Sequence, residues 1–287
     1  MPSPTPRNRI LLVDDDRAFR HAIGTLLADA GHVVLQASNG PEALALLTRE
    51  PIDLMLLDIG LPGMSGLDVL SGVQAMAAPP RVVVVTADDT PETLLKAVGG
   101  QADRFVRKPF APSAIVEVVD DALQSPPAAL LPIEVVSARP EWVEIVAPCS
   151  LAVAGRIQAF VMQLETDLSD QIRESIGYAF RELLCNAIEW GGKLDPTRKV
   201  RISCLRARRM LLYRIADPGE GFSLEGLKHA AISNPDGDPL QHAFVREEKG
   251  LRPGGLGLAI ARTLVDELIY NEARNEVVFV KYLDGNS

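Results

Sequence analysis

Several acidic residues directly follow short apolar runs. Asp14 and Asp15 come after Ile10–Val13, and Asp58 comes after Leu54–Leu57. Read as buried strands lying side by side, these runs bring three carboxylates to one sheet edge. Three acids there repel one another unless a hard divalent cation binds, and Mg²⁺ prefers such oxygen ligands while keeping several waters. Thr86 follows Val82–Val85 and offers a hydroxyl, and Lys108 follows Phe105–Val106 and offers a fixed cation. Together these groups suit phosphoryl transfer to a carboxylate: Mg²⁺ and Lys108 neutralise the incoming oxygens while Asp58 attacks. Each feature alone has an ordinary explanation. Asp14–Asp16 precede a helical pattern and could cap it, Thr86 could cap the next helix, and Lys108-Pro109 could be a strand exit. Five such features at the ends of four strands, in order, argue against coincidence.

The second half holds three more groups. In RELLCNAIEWGG, Glu182 and Asn186 are four apart and share a helical face, with Glu189 near the same stripe. Asp217-Pro-Gly-Glu-Gly-Phe ends a strand-like run. An Asp there can accept hydrogen bonds from an exocyclic amine, and Gly219 and Gly221 let a ligand approach the backbone. Gly254-Gly255-Leu-Gly257 opens a helix, and such a turn can cradle phosphate. It is not a Rossmann fingerprint, because no strand directly precedes it, and no Gly-Lys-Ser/Thr follows to make a Walker A loop. Singly, polar groups on a helix mark its solvent face, and Gly-rich turns are usually just turns.

The elements that must position these residues fall into two patterns, as the 287-residue length suggests. The first five apolar runs, Ile10–Val13, Val33–Ala37, Leu54–Leu57, Val82–Val85 and Phe105–Val106, alternate with helical patterns at Arg17–Ala30, Pro41–Arg49, Leu67–Met76, Pro91–Val98 and Pro112–Leu123. That alternation predicts an α/β, doubly wound parallel sheet over residues 1–124, with its function at the carboxyl ends of the strands. Residues 125–138, rich in Pro and Ala, read as a linker. Over 139–287 the order changes. It predicts a strand at Trp142–Ala147, helices at 151–166 and 170–190, strands at Val200–Leu205 and Leu211–Asp217, a helix at Leu256–Leu268 and a last strand at Glu276–Tyr282. Consecutive strands mixed with helices suggest an α+β two-layer sandwich.

Composition bounds the function classes. The net charge is −9, with 10 Lys+Arg against 16 Asp+Glu in residues 1–124 and 19 against 22 beyond. Neither half has a basic stripe, so direct nucleic-acid binding is not expected. The three cysteines, Cys149, Cys185 and Cys204, are widely spaced, which fits reduced thiols in a cytoplasmic protein. The N-terminal MPSPTPRNR lacks the apolar core of a signal peptide. No apolar stretch reaches the ~18 residues of a membrane span, so no membrane association is expected.

ILLVDDD, LMLLDIGLPGMSGLDVL, VVVVTADD and DRFVRKPF resemble the signature segments of bacterial response-regulator receiver domains, over about residues 8–124. The resemblance implies a flavodoxin-like five-stranded domain with Asp58 as phosphoacceptor. It implies a Mg²⁺ site from Asp14, Asp15, Asp58 and the Gly60 carbonyl, with Thr86 and Lys108 sensing the phosphoryl group and Phe105 as an aromatic switch. It also implies an upstream histidine kinase or phosphotransfer protein as partner.

RELLCNAIEWG, DPGEGF and GGLGLAI resemble the N, G1 and G2 boxes of the GHKL (Bergerat-type) ATPase fold. This implies ATP and Mg²⁺ as cofactors, with Asp217 on adenine and Asn186 on the metal. Gly219, Gly221, Gly255 and Gly257 would then shape the pocket and lid. The chain has four histidines, His21, His32, His229 and His242, and none sits in a dimerisation helix before the ATPase region. Autophosphorylation on His is therefore not expected. WVEIVAPCSLAVAGRIQAFVMQL and VDELIYNEARNEVVFVKYL instead resemble the anti-sigma-factor serine kinases. That resemblance implies Glu182 as general base on a partner's serine, a sigma factor or anti-sigma antagonist as partner, and a possible homodimer. Two features depart from the family: Trp190 replaces the His of N-A-x-x-H-G, and the loop Phe222–Pro253 is long. The resulting expectation is a response regulator, phosphorylated on Asp58, whose serine/threonine-kinase-type output controls a sigma-factor partner switch. The alternatives are a kinase-inactive binding module and a hybrid-histidine-kinase-like protein acting in trans.

Overall fold

The structure, a computed structural model, describes residues 8–88, 90–99, 102–124, 131–165, 167–222 and 256–283. The chain divides into two compact units, Met1–Leu130 and Leu131–Ser287.

The first unit alternates β1 (Arg9–Val13), α1 (Arg17–Asp29), β2 (Val33–Ala37), α2 (Gly40–Arg49), β3 (Leu54–Leu57), α3 (Gly66–Gln74), β4 (Arg81–Thr86), α4 (Pro91–Gly99), β5 (Arg104–Arg107) and α5 (Pro112–Gln124). The strands form one parallel sheet in the order β2-β1-β3-β4-β5. A parallel sheet covered on both faces needs strands apolar on both sides. Leu54, Met55, Leu56 and Leu57 accordingly have no exposure. Ile10, Leu12, Leu56 and Val83 pack with Ile23 and Leu27 of α1 and Ile115 and Val119 of α5. Alternate residues Leu11, Met55 and Val84 are equally buried. The strand order reverses between β1 and β3, the point where open α/β sheets place ligands.

Helix starts in this unit are set by side-chain caps. Asp16 Oδ1 accepts from the Ala18 and Phe19 amides, at 2.7 and 3.2 Å, and starts α1. Ser65 and Asp68 form a reciprocal capping box on α3.

The second unit runs β6 (Glu134–Arg139), β7 (Trp142–Pro148), α6 (Leu151–Leu164), α7 (Asp170–Asn186), a π-helical turn (Ala187–Gly191), β8 (Lys199–Ala207), β9 (Met210–Ala216), α8 (Gly257–Leu264), β10 (Glu267–Tyr270) and β11 (Glu276–Tyr282). Its antiparallel sheet has the order β10-β11-β9-β8-β7-β6. Ile145 and Tyr213 are buried between half-buried neighbours, the alternation of a sheet covered on one face, and Ile202 and Phe279 are buried beside them. Phe180 of α7 meets Tyr213 edge-on at 5.7 Å, and Tyr213 stacks on Phe279 at 4.8 Å.

Three segments differ from the sequence expectation. Residues 134–138, expected within the linker, belong to β6, because EVVSA pairs with β7 as an edge strand. The expected helix to Leu268 stops at Leu264, and Glu267–Tyr270 pairs with β11 instead. A short apolar run such as ELIY is compatible with either state, and the available neighbour strand decides. The helix expected over 170–190 changes to π geometry at Ala187. Among the described residues, no helix is long and apolar enough to cross a membrane.

Glu165, just past α6, is 2% exposed. It accepts from Tyr213 Oη at 2.7 Å and Arg206 Nη1 at 2.8 Å. Burial raises its carboxyl above the ordinary value of 4.5, outweighing the Tyr213 bond and the Arg206 charge. A raised folded value means the native state binds the proton more tightly than the unfolded chain. The associated stability is full below the unfolded value and is lost as pH rises through the folded one. Unfolding free energy of this unit should therefore fall as pH climbs above about 4.5, and Glu165→Gln should flatten that slope. Both tryptophans, Trp142 and Trp190, lie in this unit, so urea unfolding followed by their fluorescence measures it. An unchanged slope in the variant would assign the effect elsewhere.

Candidate functional site

Parallel pairing sets Val13 opposite Leu57, so Asp14 and Asp58 leave neighbouring strands at the same level. The Asp58 amide donates to the Val13 carbonyl at 2.9 Å, and the Asp14 amide to the Ala37 carbonyl at 3.2 Å. Carboxylate oxygens of Asp14, Asp15 and Asp58 lie within 4.8 Å of one another. Asp14 and Asp58 are buried, and Asp15 is exposed. Lys108 Nζ spans the pair, 2.6 Å from Asp14 Oδ2 and 2.8 Å from Asp58 Oδ2. The same ammonium stands 4.4 Å from the centroid of Phe19, whose ring meets Phe110 edge-on at 5.9 Å.

Burial raises the Asp14 carboxyl more than its bonds to Lys108 and Asp16 lower it. Burial also works to lower Lys108, but its hydrogen bonds to Asp14 and Asp58 more than offset this and leave it raised. Three carboxyl groups against one ammonium leave an excess of negative charge and open oxygen ligands. That donor set suits a hard divalent cation.

Thr86 is the buried last residue of β4. Its Oγ1 accepts from the Asp88 amide at 3.1 Å, and its carbonyl accepts from the Lys108 amide at 2.9 Å. Phe105 is buried in β5. Gly60 donates its amide to Asp58 Oδ1 at 3.0 Å. The capping explanation for the acidic triplet applies to Asp16, which also donates its amide to Asp14 Oδ1 at 2.9 Å.

Sequence reasoning passed over Gly66 and Phe19. Gly66, the first residue of α3, sits on the Asp58 backbone, and a Cβ there would overlap the Asp58 carbonyl oxygen. Its amide donates to the Ile59 carbonyl at 3.0 Å. The S-x-x-D spacing of Ser65 and Asp68 was the available signal, since it fixes where α3 begins.

In the second unit the motif segments meet at two points. Gly257, opening α8, lies against Glu182, and a Cβ there would overlap Glu182 Oε2. Gly191, closing the π turn, lies in the same manner against the Asp217 carboxylate. Among the described residues, neither Glu182 nor Asn186 is engaged in a side-chain hydrogen bond, and both are half-buried at the end of α7.

Asp217 Oδ1 accepts from the Gly219 amide at 2.7 Å. Burial raises the Asp217 carboxyl against that bond and the Arg198 charge. Arg198 Nη2 holds the Pro218 carbonyl at 2.5 Å. Gly221 has φ +86, a conformation that favours glycine, and packs on the Ala273 carbonyl. Trp190 is 50% exposed within the π turn. Gly255, His229, His242 and the long loop from 223 lie outside the described residues.

A doubly wound parallel sheet with an acidic cluster at its carboxyl edge is a receiver-type architecture. The helix-covered antiparallel sheet is that of a GHKL ATPase. Residues 10–120 match the response regulator receiver domain, and residues 148–281 match the histidine kinase-like ATPase domain. The chain belongs to the response regulators and joins a receiver to a histidine kinase-like ATPase domain.

Among its relatives is the DNA-binding response regulator MtrA of Mycolicibacterium smegmatis, 30% identical over 232 residues, covering 79% of this chain and 98% of that protein. A cyclic di-GMP phosphodiesterase of Thermotoga maritima is 41% identical over 100 residues, 35% of this chain and 27% of that one. The alginate biosynthesis transcriptional regulatory protein AlgB of Pseudomonas aeruginosa is 39% identical over 109 residues, 38% of this chain and 24% of that one. The match thus spans only about a quarter of the length of these last two relatives.

A Gly→Ala change inside a helix ordinarily stabilises it. At Gly66 the sign should reverse, because the added methyl would overlap Asp58. Gly66→Ala should destabilise the first unit by about 1–3 kcal/mol, in the range of overpacking changes. Chemical unfolding followed by circular dichroism measures this, and a stabilised variant would mean that the α3 start yields freely.

Proposed function

We propose that this chain is a response regulator phosphorylated on Asp58 whose output is an ATP-binding serine/threonine-kinase-type domain. The output acts in the cytoplasm on a sigma factor or an anti-sigma antagonist. The observation that carries the output half is the seating of Gly257 against Glu182. It joins a candidate general base to a helix start suited to phosphate.

At the input, Asp14, Asp15, Asp58 and the Gly60 carbonyl would hold Mg²⁺, which when bound supplies charge neutralisation at the phosphoryl oxygens. An Asp58 oxygen attacks phosphorus, and the bond to the upstream donor, a histidine kinase or phosphotransfer protein, breaks. Lys108 then exchanges its contact with Asp58 for one with the phosphoryl group. The Thr86 hydroxyl turns from the Asp88 amide toward the same group, and Phe105 moves with it. The added charge is roughly −1.5 to −2.

At the output, Asp217 would accept from the adenine amine and Asn186 would hold the nucleotide's Mg²⁺. Gly219, Gly221 and Gly257, with Gly255 in the sequence, shape the pocket. Glu182 would take the proton of a partner's serine or threonine hydroxyl as that oxygen attacks the γ-phosphorus, while the bond from that phosphorus to the β,γ-bridging oxygen breaks and ADP leaves.

Trp190 favours a second reading. This large exposed side chain stands in the π turn where the resembled family has His. The output would then bind ATP and sequester its partner without turnover.

Asp58→Asn should take up no phosphoryl group from a small-molecule donor, read by intact mass, while wild type gains one. With γ-labelled ATP, wild type should label a captured partner on Ser or Thr. Glu182→Ala should lose at least 100-fold of that transfer, the lower end expected for a general base, while still binding nucleotide. Nucleotide binding without label transfer by wild type would select the sequestering module. Acid-labile label on a partner His would select the histidine-kinase-like alternative. Equal turnover and partner affinity in donor-treated wild type and Asp58→Asn would end the idea that input controls output.

A further inference from the structure

The segment NEARN between β10 and β11 has no part in the proposed phosphotransfer. Its turn is closed by Asn271, whose Oδ1 accepts from the amides of Asn275 at 3.1 Å and Glu276 at 3.2 Å. Asn271 Nδ2 donates to Asn275 Oδ1 at 2.8 Å. This fixes which way the Asn275 amide faces and turns its Nδ2 outward. That nitrogen donates to the Gly219 carbonyl at 2.9 Å, across 56 residues of chain.

The turn grips the Asp217–Phe222 segment at three further points. The Asn275 carbonyl accepts from the Asp217 amide at 2.8 Å. The Ala273 carbonyl lies against Gly221. Tyr270 meets Phe222 edge-on at 5.5 Å. Residue 219 is therefore held from both sides, its amide by Asp217 Oδ1 and its carbonyl by Asn275 Nδ2. The two groups belong to adjacent peptide planes joined at the Gly219 Cα, so releasing the carbonyl frees the torsions of residue 219 and loosens the amide that anchors the Asp217 carboxylate.

We propose that Asn275 is a positioning residue that sets purine discrimination at Asp217. This rests on the nucleotide-binding reading of the second unit. Adenine offers an exocyclic amine at the ring position where guanine offers a carbonyl. Guanine offers donors at the next positions round the ring. A carboxylate held in one place accepts from the first and is repelled by the second, whereas a carboxylate free to shift can reach the guanine donors. The Asn275–Gly219 bond is what denies Asp217 that freedom.

The test uses the full chain and fluorescent mant-ATP and mant-GTP, titrated against wild type, Asn275→Ala and Asn275→Asp. Asn275→Asp keeps the acceptor for Asn271, loses the donor to Gly219 and sets a carboxylate oxygen against that carbonyl. Melting without nucleotide, followed by tryptophan fluorescence, shows that each protein is folded. If Asn275→Ala does not fold, Asn275→Asp decides. Wild type should prefer ATP. The variants should bind ATP about tenfold more weakly, the order expected for one lost hydrogen bond, with GTP affinity held or raised so that the preference shrinks. Wild-type preference retained in the variants overturns the proposal, as does an equal loss for both nucleotides with a lowered melting temperature. If wild type binds neither nucleotide, the nucleotide-binding reading itself fails and this inference falls with it.

Discussion

Two buried carboxylates on adjacent strands are tolerable here because Lys108 lies between them. At a separation near 4 Å, two like charges repel by about 4 kcal/mol at the effective dielectric of a partly buried site. The ammonium, in contact with both Asp14 and Asp58, converts that repulsion into attraction. Everything around it serves to keep it there. The parallel register levels the two strand ends, the Thr86 carbonyl ties down the Lys108 backbone, and the Phe19 ring faces the ammonium. The arrangement stays electrically incomplete, since one ammonium faces three carboxyl groups, and that excess is compatible with a hard divalent cation.

The second unit solves its positioning problem without comparable charge. Its key contacts are made by residues lacking a side chain. Gly191 and Gly257 bring the π turn and the α8 start against Asp217 and Glu182, closer than any side-chain-bearing residue would allow. Backbone and side-chain amides then pin the Asp217–Gly219 segment. A segment held in this way is stiff, since few of its parts can rotate.

The first unit was almost fully legible because its chemistry is local. Most of the candidate residues come at or just past the end of an apolar run, and a parallel sheet aligns the ends of such runs. What escaped notice there was a contact made by absence, the missing side chain of Gly66, and the aromatic cover of Phe19 from another helix. In the second unit the central strands were legible from their alternation, but the two edge strands were not. Glu134–Arg139 comes after a Pro- and Ala-rich stretch, and Glu267–Tyr270 continues a helical spacing without a break. Neither states its partner locally. The π turn was hidden for the same reason: AIEWG continues an α-helical pattern, and only packing on Asp217 distinguishes it.

That π turn has a consequence for how this chain tolerates change. A π turn carries one more residue per hydrogen-bonded ring than the helix it terminates, so it resets the angular phase of the residues beyond it. Glu182 and Asn186 keep their shared face upstream, while Gly191 downstream is rotated onto Asp217. Removing a single residue between Asn186 and Gly191 would close the widened ring to an ordinary α turn, without the extra residue that sets Gly191 against Asp217. Substitutions at these positions change one side chain at a time, whereas a deletion there would part Gly191 from Asp217 and leave Glu182 and Asn186 in place.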